Sequence, residues 1–279
     1  MTPMAAMASM AAGTGRQGGS GDAIRALAVA TELGGRAVLK GVDLAIPRGG
    51  VFVILGPSGC GKTTMLRHLC GLLPPSVGSI SVGGRDLYTM PPDALHRFRL
   101  STGLAFQGGA LLGSLTVAEN VALPLVENTD LDRVVIRQLV RLKLDMVGLL
   151  DAADLLPSSL SGGMRKRAAI ARAVALDPEF LFLDEPSSGL DPVTAASLDD
   201  LVLRLNAVFG ITVVVVTHDL PSAFAIADRV AVFHGGRVIA QGPRDEVLAD
   251  RDPRIRDLVE RRAAPVGSGA DELTRILQL

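Results

Sequence analysis

Neither sign of charge is in excess in this sequence. Lys and Arg number 28 and Asp and Glu 29, which gives a formal net charge of -1 at pH 7. Because no basic stripe stands out, we expect no nucleic-acid partner. Long hydrophobic runs are also missing, since Arg, Asp or Gly interrupts every run before the ~18 consecutive apolar residues that a membrane span needs. The sequence therefore predicts a soluble or membrane-peripheral protein.

Cysteine is scarce as well. Cys60 and Cys70 are the two cysteines, and they make no plausible disulfide framework, which fits a reducing cytosol. The first 22 residues are rich in Met, Ala, Gly and Ser but lack the charged start and apolar core of a secretory signal. We interpret residues 1–22 as a disordered leader or as an over-called start of the sequence. The 48% of apolar residues in the chain is ample for a buried core.

The most informative stretch is Gly56-Pro-Ser-Gly-Cys-Gly-Lys-Thr-Thr64, which reads G-x-x-x-x-G-K-T and follows the apolar run 51–55. When such a loop joins the end of a strand to the start of a helix, its backbone N–H groups and the positive helix terminus point to one place, where a polyphosphate can bind. We expect Lys62 to reach the β- and γ-phosphates and the Thr63 hydroxyl to hold Mg²⁺. The sequence thus predicts a nucleoside triphosphate site. Its predicted residues are Gly56, Pro57, Ser58, Gly59, Cys60, Gly61, Lys62, Thr63 and Thr64.

Strand patterns of two kinds accompany this loop. Alternating stretches at 24–31 and 38–46, with a shorter one at 78–84, indicate an antiparallel β-layer. Uniformly apolar runs at 180–183 and 211–216, each preceded by a helix, are typical of parallel strands that are covered on both faces. The predicted fold class is α/β, with a P-loop NTPase core and an antiparallel β-subdomain.

Between the phosphate loop and the second apolar strand, the pattern becomes helical. Apolar residues recur at three- and four-residue spacing over 116–123 and 131–147. We therefore predict a helical subdomain over about 108–175. Farther along, we expect a hairpin around His234-Gly-Gly236 and a helix from about Pro243 to Ala249.

Two carboxylates end one of the buried strands. Asp184 and Glu185 follow Phe180-Leu-Phe-Leu183, at the edge where an open α/β sheet exposes its ligand crevice. Asp184 is placed to hold the Mg²⁺ that bridges the β- and γ-phosphates. Glu185, one residue further, is aimed at the attacking water as base or orienter.

A second glycine-rich helix start follows at Leu160-Ser-Gly-Gly-Met164. It makes another anion-binding terminus in the same chain, and one nucleotide cannot easily use both. With this motif, the chain resembles the ATP-binding subunits of ABC transporters over about residues 24–250. The resemblance implies that Ser161, Gly162 and Gly163 cap the γ-phosphate of ATP held by the opposite subunit of a homodimer.

The same resemblance assigns further roles by position. It implies that Gln107 senses the metal and the attacking water and couples to the membrane partner, and that Ser188-Gly-Leu-Asp191 crosses the dimer interface. His218 is similar to the switch histidine that contacts the γ-phosphate. The implied domains are the leader 1–22, an ABC ATPase domain 23–250 and a C-terminal extension 251–279, whose end, 271–279, could form a short amphipathic segment.

One feature departs from the ABC pattern. The family usually stacks adenine on an aromatic residue before the phosphate loop, but Thr31 falls near that place and no Trp, Tyr or Phe is close. Base–aromatic stacking is worth roughly 1–3 kcal/mol, so we expect weaker ATP binding and poor discrimination between ATP and GTP.

Among ABC ATPases, the chain looks most like the Mla/Mce-type lipid transport group. The resemblance rests on Phe106-Gln-Gly-Gly-Ala-Leu-Leu112, on Leu115 to Leu125 and on Ser161 to Ala169. It implies that this protein works with an MlaE-like integral-membrane permease, an MlaD-like MCE-domain lipid-binding protein and an MlaB-like STAS-domain subunit. It also implies that the protein lies on the cytoplasmic side of the inner membrane. Leu111, Leu112 and Leu115 are candidates for the permease contact.

Other classes fit less well. An ABC ATPase of translation would be expected to carry two cassettes in tandem, a DNA-repair relative would place a long coiled coil before the signature, and a P-loop kinase would leave Leu160 to Gly163 unexplained. The alternative is the ATPase subunit of another ABC importer, for an amino acid, a metal or another small solute.

Overall fold

Two β-sheets organise residues 22–259, the part of the chain that this computed structural model describes. In chain order the elements are β1 (Asp22–Leu33), β2 (Arg36–Pro47), β3 (Val51–Leu55), α1 (Lys62–Leu69), β4 (Val77–Val82), β5 (Arg85–Asp86), α2 (Pro92–Leu100), β6 (Thr102–Ala105), α3 (Val117–Asn128), α4 (Arg133–Met146), two 3₁₀ turns (Leu150–Ala152 and Pro157–Ser159), α5 (Gly162–Ala173), β7 (Phe180–Asp184), α6 (Pro192–Phe209), β8 (Thr212–Thr217), α7 (Leu220–Ile226), β9 (Arg229–His234), β10 (Arg237–Pro243), α8 (Arg244–Leu248) and α9 (Pro253–Val259).

The larger sheet has six strands in the order β10-β9-β3-β8-β7-β6. Its inner neighbours pair in parallel, and β10 pairs antiparallel with β9 at one edge. Every residue of β3, β7 and β8 is buried, as strands covered on both faces require. The predicted α/β core is therefore confirmed, and β3, β7 and β8 deliver the residues that follow them to one edge of the sheet.

The two faces of this sheet belong to two separate hydrophobic clusters. Val51, Val53 and Leu55 of β3 pack with the helical segments, whereas Phe52 and Ile54 pack with the smaller sheet and α1. This division follows from the strand period of two, which sends successive side chains to opposite faces. The central sheet thus separates a helical layer from a β-layer.

The β-layer is a four-stranded antiparallel sheet in the order β2-β1-β4-β5. Its strands confirm the predicted β-subdomain, and β1 and β2 extend a few residues beyond the predicted 24–31 and 38–46. The hairpin around His234-Gly-Gly236 is also present, as β9 and β10.

The helical layer contains α3, α4 and α5. Helix α3 begins with a capping box between Thr116 and Glu119, and it continues to Asn128, beyond the apolar pattern at 116–123. A proline inside a helix removes one backbone donor and usually ends the helix. Here Asn128 Nδ2 donates to the carbonyl of Pro124 at 2.9 Å, and the hydroxyl of Thr129 donates to that of Leu125 at 2.7 Å, which satisfies the last turn.

At the other end, α9 follows the predicted helix at α8 and buries Ile255 in the same cluster as Val247. The amphipathic segment 271–279 and all but the last residue of the leader 1–22 lie outside the described residues. No helix within 22–259 combines the length and the low charge that crossing a membrane would require.

Asn120 fastens the loop before α3 to the helix itself. Its side chain is fully buried, accepts a hydrogen bond from the Leu112 N–H at 2.8 Å and donates to the carbonyls of Leu112, Leu115 and Thr116 at 3.1, 3.1 and 2.9 Å. One buried amide therefore holds the start of this loop, the stretch that carries the candidate leucines.

We predict that Asn120→Ala lowers the free energy of unfolding by about 2 kcal/mol or more, because it removes the hydrogen bonds of a buried amide to partly buried backbone groups, among them the Leu112 N–H and the Leu115 carbonyl. Urea denaturation measures this change. Asn128→Ala, which removes the same side chain from an exposed position of the same helix, should change the free energy by about 0.5 kcal/mol or less. Equal losses in the two variants would contradict the prediction.

Candidate active site

The phosphate loop runs between β3 and α1 and is shaped by its glycines. A Cβ on Gly56 would lie 2.3 Å from the carbonyl oxygen of Phe233, so no other residue fits there. Gly61 has a φ of 102° and precedes α1 with no side-chain cap, which leaves the first N–H groups of the helix facing the loop. Lys62 lies inside this concavity and donates to the carbonyls of Gly56 and Pro57 at 2.7 and 3.0 Å. Backbone donors and one ammonium thus converge where an anion can bind.

Cys60, within the loop, is buried and free, and so is Cys70, which directly follows α1. Burial raises the pKa of both thiols, so both are neutral side chains that contribute to packing.

Asp184 lies at the end of β7 and contacts the start of α1. Its Oδ1 accepts a hydrogen bond from the Thr63 hydroxyl at 3.1 Å, and burial raises the pKa of its carboxyl. A hydroxyl and a carboxylate oxygen are the hard ligands that Mg²⁺ prefers, and this ion usually takes its other ligands from water and substrate phosphates. Within residues 22–259, no cluster of three or more His, Cys, Asp and Glu residues could hold a metal ion alone. The pair Thr63 and Asp184 therefore fits a magnesium ion that arrives with a nucleotide.

Glu185 is buried, and several neighbours hold its carboxylate. Its Oε1 lies 2.8 Å from His218 Nδ1 and 3.8 Å from Lys62 Nζ, and its Oε2 accepts from the Thr217 hydroxyl at 3.2 Å. The separation of 2.8 Å between His218 Nδ1 and Glu185 Oε1 is that of a hydrogen bond between the imidazole and the carboxyl group. The structure thus brings together the predicted Lys62, Glu185 and His218. Thr217 was missed, although its place directly before His218 at the strand end was the available signal.

Gln107 follows β6, and its side chain is exposed while its backbone approaches the site. Its carbonyl accepts a hydrogen bond from Lys166, and Lys166 also donates to the carbonyl of Glu185 at 2.9 Å. Burial lowers the pKa of Lys166, while the charges of Glu185 and Asp184 act to raise it. Lys166 was also missed, because nothing in the sequence shows which face of the helix it occupies.

The remaining predicted residues form a second group. The Ser161 hydroxyl caps α5 by accepting from the Met164 N–H at 3.2 Å, and Asp191 caps α6 by accepting from the N–H groups of Val193 and Thr194 at 3.1 and 3.0 Å. Hydrogen bonding from Thr194 lowers the pKa of Asp191.

These two helix starts lie side by side, since a Cβ on Gly163 would lie 2.5 Å from Thr194 Cγ2. Among the described residues, no hydrogen bond or ion pair joins Ser161, Gly162, Gly163 or Asp191 to the phosphate loop. The predicted site residues of one chain thus form two groups that share no hydrogen bond or ion pair within the described residues.

Comparison with known proteins agrees with this geometry. Residues 39–188 match the family model described as "ABC transporter". The chain is also 41% identical over 227 residues to the "Intermembrane phospholipid transport system ATP-binding protein MlaF" of Escherichia coli strain K12, a match that covers 81% of this chain and 84% of that protein. The chain belongs to the ABC transporter family. As an ATP-binding cassette of this family, it is an ATPase.

Other ABC relatives and solved structures support the same assignment. The "Probable ribonucleotide transport ATP-binding protein mkl" of Mycobacterium leprae is 39% identical, over 90% of this chain and 73% of its own. A "post-hydrolysis state of the ATP-binding cassette MJ0796 bound to ADP and Pi", described as dimeric, aligns with a TM-score of 0.73 at 33% identity, over 79% of this chain and 98% of that chain. The ABC cassette cbiO1 from Clostridium perfringens aligns with a TM-score of 0.75 at 29% identity, over 93% of this chain and 100% of its own. The predicted ABC ATPase fold class is confirmed.

Thr31, near the expected place of the adenine-stacking aromatic in ABC ATPases, faces the interior. It is 2% exposed, and its hydroxyl lies 2.8 Å from Nε2 of the buried His68, whose Nδ1 bonds to the carbonyl of Leu73. Burial lowers the pKa of His68, so the imidazole is neutral near pH 7. The side chain of residue 31 is thus used for packing between β1 and α1.

We predict that Thr31→Phe does not create an adenine platform but lowers the free energy of unfolding by about 1–3 kcal/mol, because the larger ring overpacks a filled site. Competition between ATP and GTP for the wild-type protein and the variant, together with urea denaturation, measures both effects. Thr31→Val is the matched control, since it removes the hydroxyl at nearly constant volume. A strong preference for ATP in the wild type, or one gained in Thr31→Phe, would contradict the prediction.

Proposed function

We propose that two copies of this ABC ATPase close over two ATP molecules and thereby drive an integral-membrane permease that moves phospholipid between the inner and outer membranes. The division of the site residues between two places on one chain is the observation that carries the proposal. A site that needs both groups is complete only when a second copy supplies the other half. The dimeric description of the MJ0796 cassette supports this arrangement.

In the proposed half-site, each residue of the first group has one task. Lys62 and the N–H groups at the start of α1 bind the β- and γ-phosphates, which their positive charge favours. Thr63 and Asp184 would hold Mg²⁺, with Gln107 as a further ligand, and when bound the ion neutralises phosphate charge.

Glu185 is the base or orienting group for the attacking water, since it is buried beside Lys62. Its carboxylate is kept in place by His218 and Thr217, through the hydrogen bonds at 2.8 and 3.2 Å. His218, whose side chain is half exposed, is also the group placed to contact the γ-phosphate of a bound nucleotide.

The second group acts on the nucleotide of the partner copy. Ser161 and Gly162 are exposed at the start of α5 and the buried Gly163 follows them, so backbone donors and the helix dipole can attract an anion there. Asp191 lies beside them at the start of α6 and contacts the dimer interface. Hydrolysis removes the phosphate that both copies bind, and the copies then separate.

Phospholipid as cargo is supported by the relatives and by the sequence resemblance. The name of the relative MlaF describes intermembrane phospholipid transport. In addition, the stretches 106–125 and 161–169 resemble those of Mla/Mce-type ATPases. On this proposal the partners are an MlaE-like permease, an MlaD-like MCE-domain lipid-binding protein and an MlaB-like STAS-domain subunit, at the cytoplasmic side of the inner membrane.

A second candidate is transport of another solute, which the name of the mkl relative favours. Purification of the chain from detergent-solubilised membranes distinguishes the two. Recovery of an MCE-domain protein with bound phospholipid supports the proposal, and recovery of a permease with a soluble solute-binding protein overturns it.

We predict that Glu185→Gln binds ATP and forms a stable ATP-dependent dimer, while its hydrolysis rate falls about 10²–10⁴-fold because the general base is lost. Light scattering after gel filtration measures the dimer. In the same background, Ser161→Arg should abolish the dimer but not ATP binding, because it blocks the helix start that meets the partner's nucleotide. A Glu185→Gln chain that remains monomeric with ATP would reject the sandwich.

We also predict that Leu112→Glu uncouples ATP hydrolysis from transport in the reconstituted complex. Among the candidate leucines, Leu112 is 46% exposed, whereas Leu111 packs against the helical core and Leu115 is half-buried. The ATPase activity of the isolated chain should stay within about twofold of wild type, as for other exposed sites. Val208→Glu, at a position on α6 that is 72% exposed, is the control. Unchanged lipid transfer per ATP in Leu112→Glu would reject the contact.

A further inference from the structure

Helix α5 serves two sites at once. Its first residues belong to the group proposed to meet the partner's nucleotide, and its side holds the loop that follows β6 in its own chain. Lys166 donates to the carbonyl of Gln107, and Arg172 donates to those of Gly109 and Ala110 at 3.1 and 2.8 Å. Gly109 is buried with a φ of 77°, which lets the loop backbone approach the helix closely.

Lys166 makes a further contact that Arg172 does not make. Its ammonium donates to the carbonyl of Glu185 at 2.9 Å, so one cation joins the loop, the helix and the backbone of the proposed base. Lys166 is half-buried, where a charge-assisted hydrogen bond is stronger than in water.

Glu185 needs such a contact because of its backbone. Its φ is 50°, in the left-handed region, which residues other than glycine seldom adopt and which persists only when neighbours hold it. The Glu185 N–H donates to the carbonyl of Val216 at 2.8 Å, which attaches one side of the residue to β8. On the other side, the Glu185 carbonyl accepts from Lys166, which attaches it to α5, and from the Ser188 N–H at 3.3 Å. These backbone contacts set the direction in which the side chain leaves the backbone, and Thr217 and His218 then hold its carboxylate.

We propose that Lys166 is a positioning residue for Glu185. When α5 binds the partner's nucleotide, its change of position is passed through Lys166 to Glu185 in the hydrolytic site of its own chain. The inference rests on the proposed ATP sandwich. Ser161 and Lys166 are separated by five positions of one helix, about 7.5 Å along its axis, a distance over which an α-helix moves as a rigid unit. Occupancy of one nucleotide site therefore changes the geometry of the base in the other.

The experiment compares four variants of the full chain. Lys166→Met removes the ammonium and keeps the chain length, Lys166→Arg restores a cation with several donors, and Arg172→Met removes the neighbouring loop contact but not the contact to Glu185. Arg204→Met removes the same charge from an exposed position of α6 and controls for net charge. ATP hydrolysis is measured as kcat, KM and the Hill coefficient for ATP, with thermal unfolding as a check of folding.

For Lys166→Met we expect kcat to fall about 10- to 100-fold, the scale of one lost hydrogen bond to a charged group, with KM for ATP within about twofold. The Hill coefficient should fall toward the non-cooperative value. Lys166→Arg should recover most of kcat, and Arg172→Met and Arg204→Met should keep kcat within about threefold of wild type. If Lys166→Met does not fold, Lys166→Gln, which keeps a hydrogen-bond donor, should also lower kcat while KM stays nearly unchanged. The fall in kcat should be smaller than that expected for Lys166→Met.

Three results would overturn the inference: wild-type kcat and cooperativity in Lys166→Met, no recovery in Lys166→Arg, or an equal loss in Arg172→Met, which would mean that the loop contact alone matters. ATP-dependent dimerisation of Glu185→Gln with and without Lys166→Met separates the two proposals. If Glu185→Gln does not dimerise, the sandwich and the inference both fail. If both forms dimerise and Lys166→Met hydrolyses ATP normally, only the inference fails.

Discussion

Burial of charge at one edge of a parallel sheet is the constraint on which the rest of this structure depends. Lys62, Asp184 and Glu185 are each less than a tenth exposed. A charge removed from water must be paired and hydrogen-bonded, or it changes its protonation state. The three side chains meet this requirement through one another and through Thr63, Thr217 and His218. Such mutual pairing is possible because β3, β7 and β8 are parallel neighbours that end together.

The layers on the two faces of this sheet have different relations to the buried charges. The β-layer packs on the face that carries Phe52 and Ile54, together with the helix that follows the phosphate loop. The helical layer packs on the other face and approaches the site through Lys166. The two layers are in different core clusters, so a shift of the helical layer can leave the phosphate loop in place. The proposed coupling to a partner needs this combination of a fixed nucleotide loop and a helical layer that can shift.

Local sequence patterns predicted the parts of this site that depend on local structure. The loop from Gly56 to Thr64 and the pair Asp184 and Glu185 each follow a recognisable strand, and their chemistry could be inferred from residue type and spacing. Contacts between residues distant in sequence could not be inferred in this way. Lys166 reaches Glu185 because α5 crosses the end of β7, and Thr31 faces His68 because of the way β1 packs on α1. The apolar spacing at 116–123 likewise does not show where α3 ends, because the last turn depends on hydrogen bonds from the Asn128 and Thr129 side chains to the carbonyls of Pro124 and Leu125.

The hydrogen bonds of Lys62 have a consequence for how nucleotide is recognised. Its ammonium donates to two carbonyl oxygens of the loop, Gly56 and Pro57. An incoming phosphate must compete with these oxygens for the same donors, so the gain on binding is the difference between the two sets of contacts. A lone small anion would gain little from such an exchange, whereas a triphosphate bound as proposed would also contact the helix start, Thr63 and a second subunit. On the proposed binding mode, this self-contact favours long polyphosphates over small inorganic anions.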